Sequence, residues 1–192
     1  MRLTRPFALA AAFSLALAAP AASAVAQRAV ASPRDTVRAR VGAASLLVDY
    51  GRPSKRNRDI FPGVQPYGQV WRLGANEATH FTTDRAITIG GTAIPAGRYT
   101  LYAIPDSTRW TLIVNKQVGQ WGTTYTPAQD LARIPMTVRA LRTPVETLTV
   151  SIRATGSNSA FVVRWDDVEA SAPVAVATAR RPAARPVSKD RP

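Results

Sequence analysis

No cysteine occurs among the 192 residues, which excludes disulfide frameworks, thiolate metal sites and cysteine nucleophiles. Histidine occurs once, at His80, so a multi-histidine metal cluster is excluded as well. Lysine is nearly as scarce: Lys55, Lys116 and Lys189 are outnumbered by 22 arginines, and with 12 acidic residues the formal charge is +13. The arginines are spread along the whole chain with no lysine-rich run, so the surplus lacks the clustering that phosphate-backbone neutralisation requires and does not point to nucleic acid. No G-x-S-x-G elbow is present, and Gly90-Gly91 and Ala96-Gly97 lack the lysine and helix start of a phosphate loop. No apolar run reaches the roughly 20 residues of a membrane-spanning helix. Nothing in the pattern implies a metal or a cofactor.

The N-terminus carries a recognisable arrangement. Arg2 and Arg5 precede an Ala/Leu-rich stretch from Phe7 to Ala19, Pro20 breaks it, and Ala22-Ser23-Ala24 and Ala24-Val25-Ala26 offer small-residue cleavage sites. A basic start, a short apolar run and such a site predict a secretory signal peptide over 1–26, hence an exported protein, periplasmic or extracellular. Residues 27–36 are small and polar and read as a disordered leader. Residues 176–192 are rich in arginine, alanine and proline, with almost nothing large and apolar to offset ordering entropy, and read as a disordered basic tail.

Between these ends the apolar residues alternate. Leu46, Val48 and Tyr50 share one face, as do Ile87 with Ile89, then Ile134, Met136 and Val138, then Leu148, Val150 and Ile152, then Phe161, Val163 and Trp165. Gly90-Gly91 fits a two-residue hairpin turn, Pro105-Asp106-Ser107-Thr108 is a turn between Arg98–Ile104 and Trp110–Val114, and Pro127–Arg133 allows one turn of helix. About seven to nine short strands at this spacing predict a single antiparallel β-sandwich over 37–175.

The alternation fails from Tyr50 to Gln69, where Arg52, Lys55, Arg56 and Arg58 crowd among prolines, and Trp71-Arg72-Leu73-Gly74-Ala75-Asn76-Glu77 follows. An aromatic ring, a guanidinium, an amide and a carboxylate around a glycine, on loops of a rigid scaffold, form the natural candidate site. Arg52 and Arg72 are suited to bidentate anion contacts, Asn76 and Glu77 to orienting hydroxyls, and Trp71 to stacking; Ser54 lies in the same loop. Gly74 suggests a tight bend that would bring Arg72 and Glu77 into one polar constellation. Trp71 and Trp121, beside glycine-containing loops, divide between core and sugar platform, whereas Trp110 and Trp165 fall on apolar strand faces.

The segments GRPSKRNRDIF, PYGQVWRLGANEAT, IPAGRYTLYAIP and WTLIVNK followed by QWG resemble a bacterial family catalogued as domain of unknown function 2911, over about Ala44 to Pro173. The resemblance implies an exported bacterial protein with one mainly-β domain and no established activity. Arg52, Pro53, Ser54, Arg72, Gly74, Asn76 and Glu77 match its pattern, and His80 stands where a threonine or similar polar residue is expected. The leading expectation is a non-enzymatic β-sandwich that binds an anionic or glycan ligand through this loop region. A hydrolase acting on an envelope polymer through Glu77, with Asp84 as partner, and a purely structural envelope component are the alternatives.

Overall fold

The computed structural model describes residues 31–155 and 158–177. The segment read as a signal peptide and most of the basic tail lie outside the described residues. Nine strands form one antiparallel sheet in the order β1-β2-β3-β6-β7-β8-β9-β4-β5, and the sheet does not close into a barrel. They are β1 (Arg34–Val41), β2 (Ala44–Gly51), β3 (Thr79–Thr83), β4 (Ile87–Ile89), β5 (Thr92–Ile94), β6 (Gly97–Ile104), β7 (Arg109–Asn115), β8 (Asp130–Arg153) and β9 (Ala160–Val176). A helical turn at Ile60–Val64 and a shorter one at Pro127–Gln129 are the remaining elements. Among the described residues no helix is long and apolar enough to cross a membrane.

The all-β antiparallel class follows from the alternation, because period-two apolar residues bury one face of each strand. In β2 the inward residues Leu46, Val48 and Tyr50 are buried while Leu47 and Asp49 are half-exposed. Gly90 and Gly91 take φ of +56° and +79° and pair Ile89 with Thr92, the two-residue hairpin their chemistry favours.

Two expectations are corrected. The strands are not all short: β8 has 24 residues and joins what alternation divides into two strands, and β9 has 17 and runs on well past Trp165, where the alternation read from sequence stops. Register shifts between Ala140 and Val145 and between Val145 and Thr149, with Asp166 opposite at φ +54°, let this ribbon bend while its ladder continues. The second correction concerns the leader. Its last residues are ordered, since β1 begins at Arg34, and Asp35 pairs with Tyr50 across the β1–β2 ladder.

β1, at one end of the ladder, also touches β8 and β9, and β5 at the other end touches β8, so the sheet folds over onto itself around the core. The turn of the sheet is stitched by Tyr50, whose Oη accepts the Val150 N–H at 3.0 Å, and by Pro53 and Lys55, which pair through backbone bonds with Leu148 and Glu146. Phe61, Trp71, Trp110 and Trp165 fill the space beneath. Phe61 sits edge-on to Trp71, Trp110 and Trp165, and Trp71 stacks on Trp165 at 17° with centroids 5.7 Å apart. Each such pair contributes about 0.5–1.5 kcal/mol beyond area burial.

Candidate functional site

Three segments build one end of the molecule. In the first, residues 53–55 are clamped along β8, and the chain then turns at Arg56 and Asn57 with φ of +50° and +59°. Arg58 folds back on its own loop, donating from Nε to the Lys55 carbonyl and from Nη2 to the Ser54 carbonyl, both at 2.7 Å. The buried Asp166 carboxylate anchors this loop from β9: it pairs with Lys55 Nζ and accepts the Ile60 N–H at 3.2 Å. Ile60 and Phe61 then enter the core.

The second segment starts at Trp71, which exchanges backbone bonds with Ala103 of β6. The bend that follows takes positive φ at Leu73 (+48°) and Asn76 (+62°), not at the glycine between them. Asparagine tolerates that conformation; for leucine it costs about 1–2 kcal/mol, so the surroundings must hold it. They do so through the Thr79 hydroxyl, which donates to the Leu73 carbonyl at 2.9 Å. Gly74 is required for space instead, because a Cβ there would lie 2.6 Å from Thr79 Oγ1.

The third segment, 116–126, lies across the second. Ala78 N–H donates to Gln120 O, Gly122 N–H donates to Asn76 O at 2.9 Å, and Glu77 bridges Trp121 through the backbone. It is also held from beneath: His80, only 7% exposed, accepts the Gly119 N–H on Nε2 at 3.1 Å. Burial, and then the Arg98 and Arg34 charges, hold the His80 pKa below the ordinary imidazole value, which keeps this acceptor neutral.

These segments enclose a cleft of about 650 Å³, within the roughly 300–1,000 Å³ common for small-ligand sites. Ser54, Trp71, Arg72 and Asn76, four of the six residues proposed from sequence, line it. So do Arg56 and Arg58, which the sequence shows as part of a cation cluster but does not single out. Tyr102, Tyr125 and Trp165 add aromatic surface, and Trp165 is at once a core residue, 3% exposed, and part of the wall. Burial pushes the Tyr102 and Tyr125 phenols up, so both stay protonated hydroxyls. Among the described residues no aspartate, glutamate or histidine lines the cleft.

Arg52 and Glu77 are placed elsewhere. Arg52 donates to the Leu148 carbonyl at 3.1 Å and pairs with Asp35 at 3.2 Å, so it ties β1 to β8 across the fold. Glu77 is exposed and pairs with Arg34 at 3.2 Å, while Arg34 also holds Asp49 at 3.0 Å. The expected Arg72–Glu77 constellation does not form; among the described residues the Arg72 guanidinium has no hydrogen-bond or ion-pair partner. The acid–base pair considered for Glu77 and Asp84 is not brought together either. Asp84 lies beyond the far end of β3, where it accepts the Ser45 N–H at 2.7 Å. Trp121 is 51% exposed and outside the cleft lining.

Residues 32–174 match the family described as Protein of unknown function (DUF2911). The chain belongs to this family. The match covers all nine strands except the last residues of β9, and with them the three segments that frame the cleft. No curated protein and no solved structure matches the chain.

Proposed function

We propose that this DUF2911 protein is an exported, non-enzymatic binder of a small anionic ligand, which it holds in the cleft between the 53–72 and 122–125 segments. One observation carries the reading: Arg56, Arg58 and Arg72 line the cleft, and no described carboxylate lines it with them. A cationic concavity with partly apolar walls concentrates anions and orients them by N–H donation. Arg72 is suited to first contact, since its guanidinium has no partner among the described residues and its alkyl stem lies against Gly122. Arg58 is pre-set by its two carbonyl contacts, so little side-chain entropy is lost when it engages a ligand. The non-enzymatic part rests on a described lining without carboxylate or imidazole, in which the Tyr102 and Tyr125 phenols are held protonated by burial and so supply no base. Export rests on the N-terminal sequence.

The test is titration of the full mature chain with glucuronate and glucose 6-phosphate against neutral glucose, followed by intrinsic fluorescence, because Trp71 and Trp165 line the cleft. The two anions should quench and glucose should not, and Arg72→Ala should weaken anion binding by about tenfold or more, equivalent to about 1.4 kcal/mol. Anion binding that survives Arg72→Ala unchanged, or binding of glucose alone, overturns the proposal.

A further inference from the structure

We infer that the anion this cleft suits is a phosphate monoester of a small ring-bearing alcohol, such as a phosphorylated sugar, rather than a monocarboxylate; this rests on the anion-binding reading above. The cations of this region divide by whether a carboxylate already neutralises them. Between residues 50 and 77, Arg52 is paired with Asp35 and Lys55 with Asp166. Arg56, Arg58 and Arg72 have no carboxylate partner among the described residues, and these three are the ones that line the cleft. Glu146, whose carboxylate accepts the Arg56 backbone N–H at 3.0 Å, lies outside that lining.

Charge and donor number then select the ligand class. A monocarboxylate brings one negative charge and two oxygens, enough for one bidentate guanidinium, and leaves the charge of the other two lining arginines unmatched. A phosphate monoester brings about −1.5 to −2 charges at pH 7 and three acceptor oxygens, one face for each guanidinium. Each guanidinium has five N–H donors. Arg58 uses two of its donors on carbonyls and Arg56 uses one, on Ala31 O, so most remain available. All three cations are arginine, whose planar fork suits phosphate oxygens. The ester, as opposed to the free ion, is favoured by the apolar part of the wall. Val64 and Val70 are exposed and line the cleft, as does the half-buried Tyr125 ring, which packs edge-on to Tyr102. Inorganic phosphate has nothing to set against that surface.

The experiment compares glucose 6-phosphate, glucuronate and inorganic phosphate on the full mature chain by calorimetry at about pH 7.5 and about pH 5, either side of the second phosphate ionisation near about 6. Glucuronate stays ionised at both, since carboxyls titrate near about 4, and it controls for any change in the protein. Glucose 6-phosphate should bind about tenfold or more tightly than glucuronate at the higher pH, and that ratio should fall by about tenfold at the lower one as the dianion is lost. Equal affinities, or a ratio that does not change with pH, overturn the phosphate assignment while leaving anion binding intact. Inorganic phosphate binding as tightly as the sugar phosphate overturns the ester assignment. No binding of any of the three overturns the cleft reading itself.

Discussion

Gly122 packs against the stem of Arg72: a Cβ at residue 122 would lie 2.8 Å from Arg72 Cδ and 2.7 Å from the Asn76 carbonyl oxygen. The first of these neighbours is a flexible side chain, but the second is backbone in a bend already held at positive φ, so it cannot easily give way. Gly122→Ala should therefore cost about 1–3 kcal/mol by overpacking. It should also turn Arg72 out of the cleft, so anion affinity falls along with stability. Urea denaturation and a glucose 6-phosphate titration on the same variant read the two effects. Unchanged affinity with lowered stability would show that the glycine serves the loop alone.

Arg72 and Glu77 should be energetically independent. Glu77 pairs with Arg34, not with Arg72, and the two share no described partner. A double-mutant cycle on Arg72→Ala and Glu77→Ala should give a coupling within about 0.3–0.5 kcal/mol of zero. The cycle on Arg34→Ala and Glu77→Ala should give no more than about 1 kcal/mol, as exposed pairs do. Coupling of several kcal/mol between Arg72 and Glu77 would contradict this arrangement.

Local pattern revealed some of these relationships and could not reveal others. Alternation in β2, in β4 and at the two ends of β8, and the Gly90-Gly91 turn, are local properties, so they are legible residue by residue. β1 also alternates, with Val37, Ala39 and Val41 inward, but its first three residues, Arg34-Asp35-Thr36, are polar and continue the pattern of the small polar leader before them. The bend in β8 and β9 arises from register shifts between paired strands, which leave no mark in either strand alone. The candidate site divides in the same way. That the 52–58 cations belong near Trp71 can be read from their loops. Which of them line the cleft is decided by distant partners: Asp35 and the Leu148 carbonyl take Arg52, and Asp166 takes Lys55. Glu77 finds Arg34 across 43 positions, a pairing that no spacing rule predicts.

Asp166 offers a substitution pair that separates charge from hydrogen bonding. Its carboxylate accepts the N–H of the buried Ile60, and its backbone sits at φ +54°, a conformation asparagine adopts readily. Asp166→Asn keeps an acceptor for Ile60 and the backbone preference but frees Lys55. Asp166→Ala loses all three and leaves the Ile60 donor unsatisfied, at about 1–3 kcal/mol. Urea midpoints should therefore order wild type, Asp166→Asn, Asp166→Ala, with the larger gap before alanine. Both variants should weaken anion binding less than Arg72→Ala, since Asp166 acts only by holding the loop that carries Arg56 and Arg58. An asparagine variant as unstable as the alanine one would place the anchoring in the charge.

His80 should make stability depend on pH in a window where carboxylates do not titrate. Its ring is buried on the outer side of β3, with Arg34, Arg98 and Asp49 as the charges acting on it, and Nε2 accepts the Gly119 N–H. Protonation would turn that acceptor into a donor facing a donor. The folded pKa is lowered, chiefly by burial, whereas the unfolded chain takes up its proton near about 6.5. The unfolded state therefore binds protons first as pH falls. The histidine's contribution is fully present above about pH 6.5 and is lost as pH drops toward the folded value, by at most about 1.4 kcal/mol per pH unit. Asp84, Asp106 and Glu169 also have lowered pKa values, but their contributions are lost only as pH falls below the ordinary carboxylate range near about 4. Urea denaturation at about pH 7.5, 6.5 and 5.5 should show the step in wild type and a flat response in His80→Gln. Hydrogen exchange at Gly119 should accelerate over the same interval beyond the intrinsic pH trend, because the bond that protects it is the one being lost. A wild-type midpoint that does not move across this interval would mean that His80 titrates alike in the folded and unfolded chains.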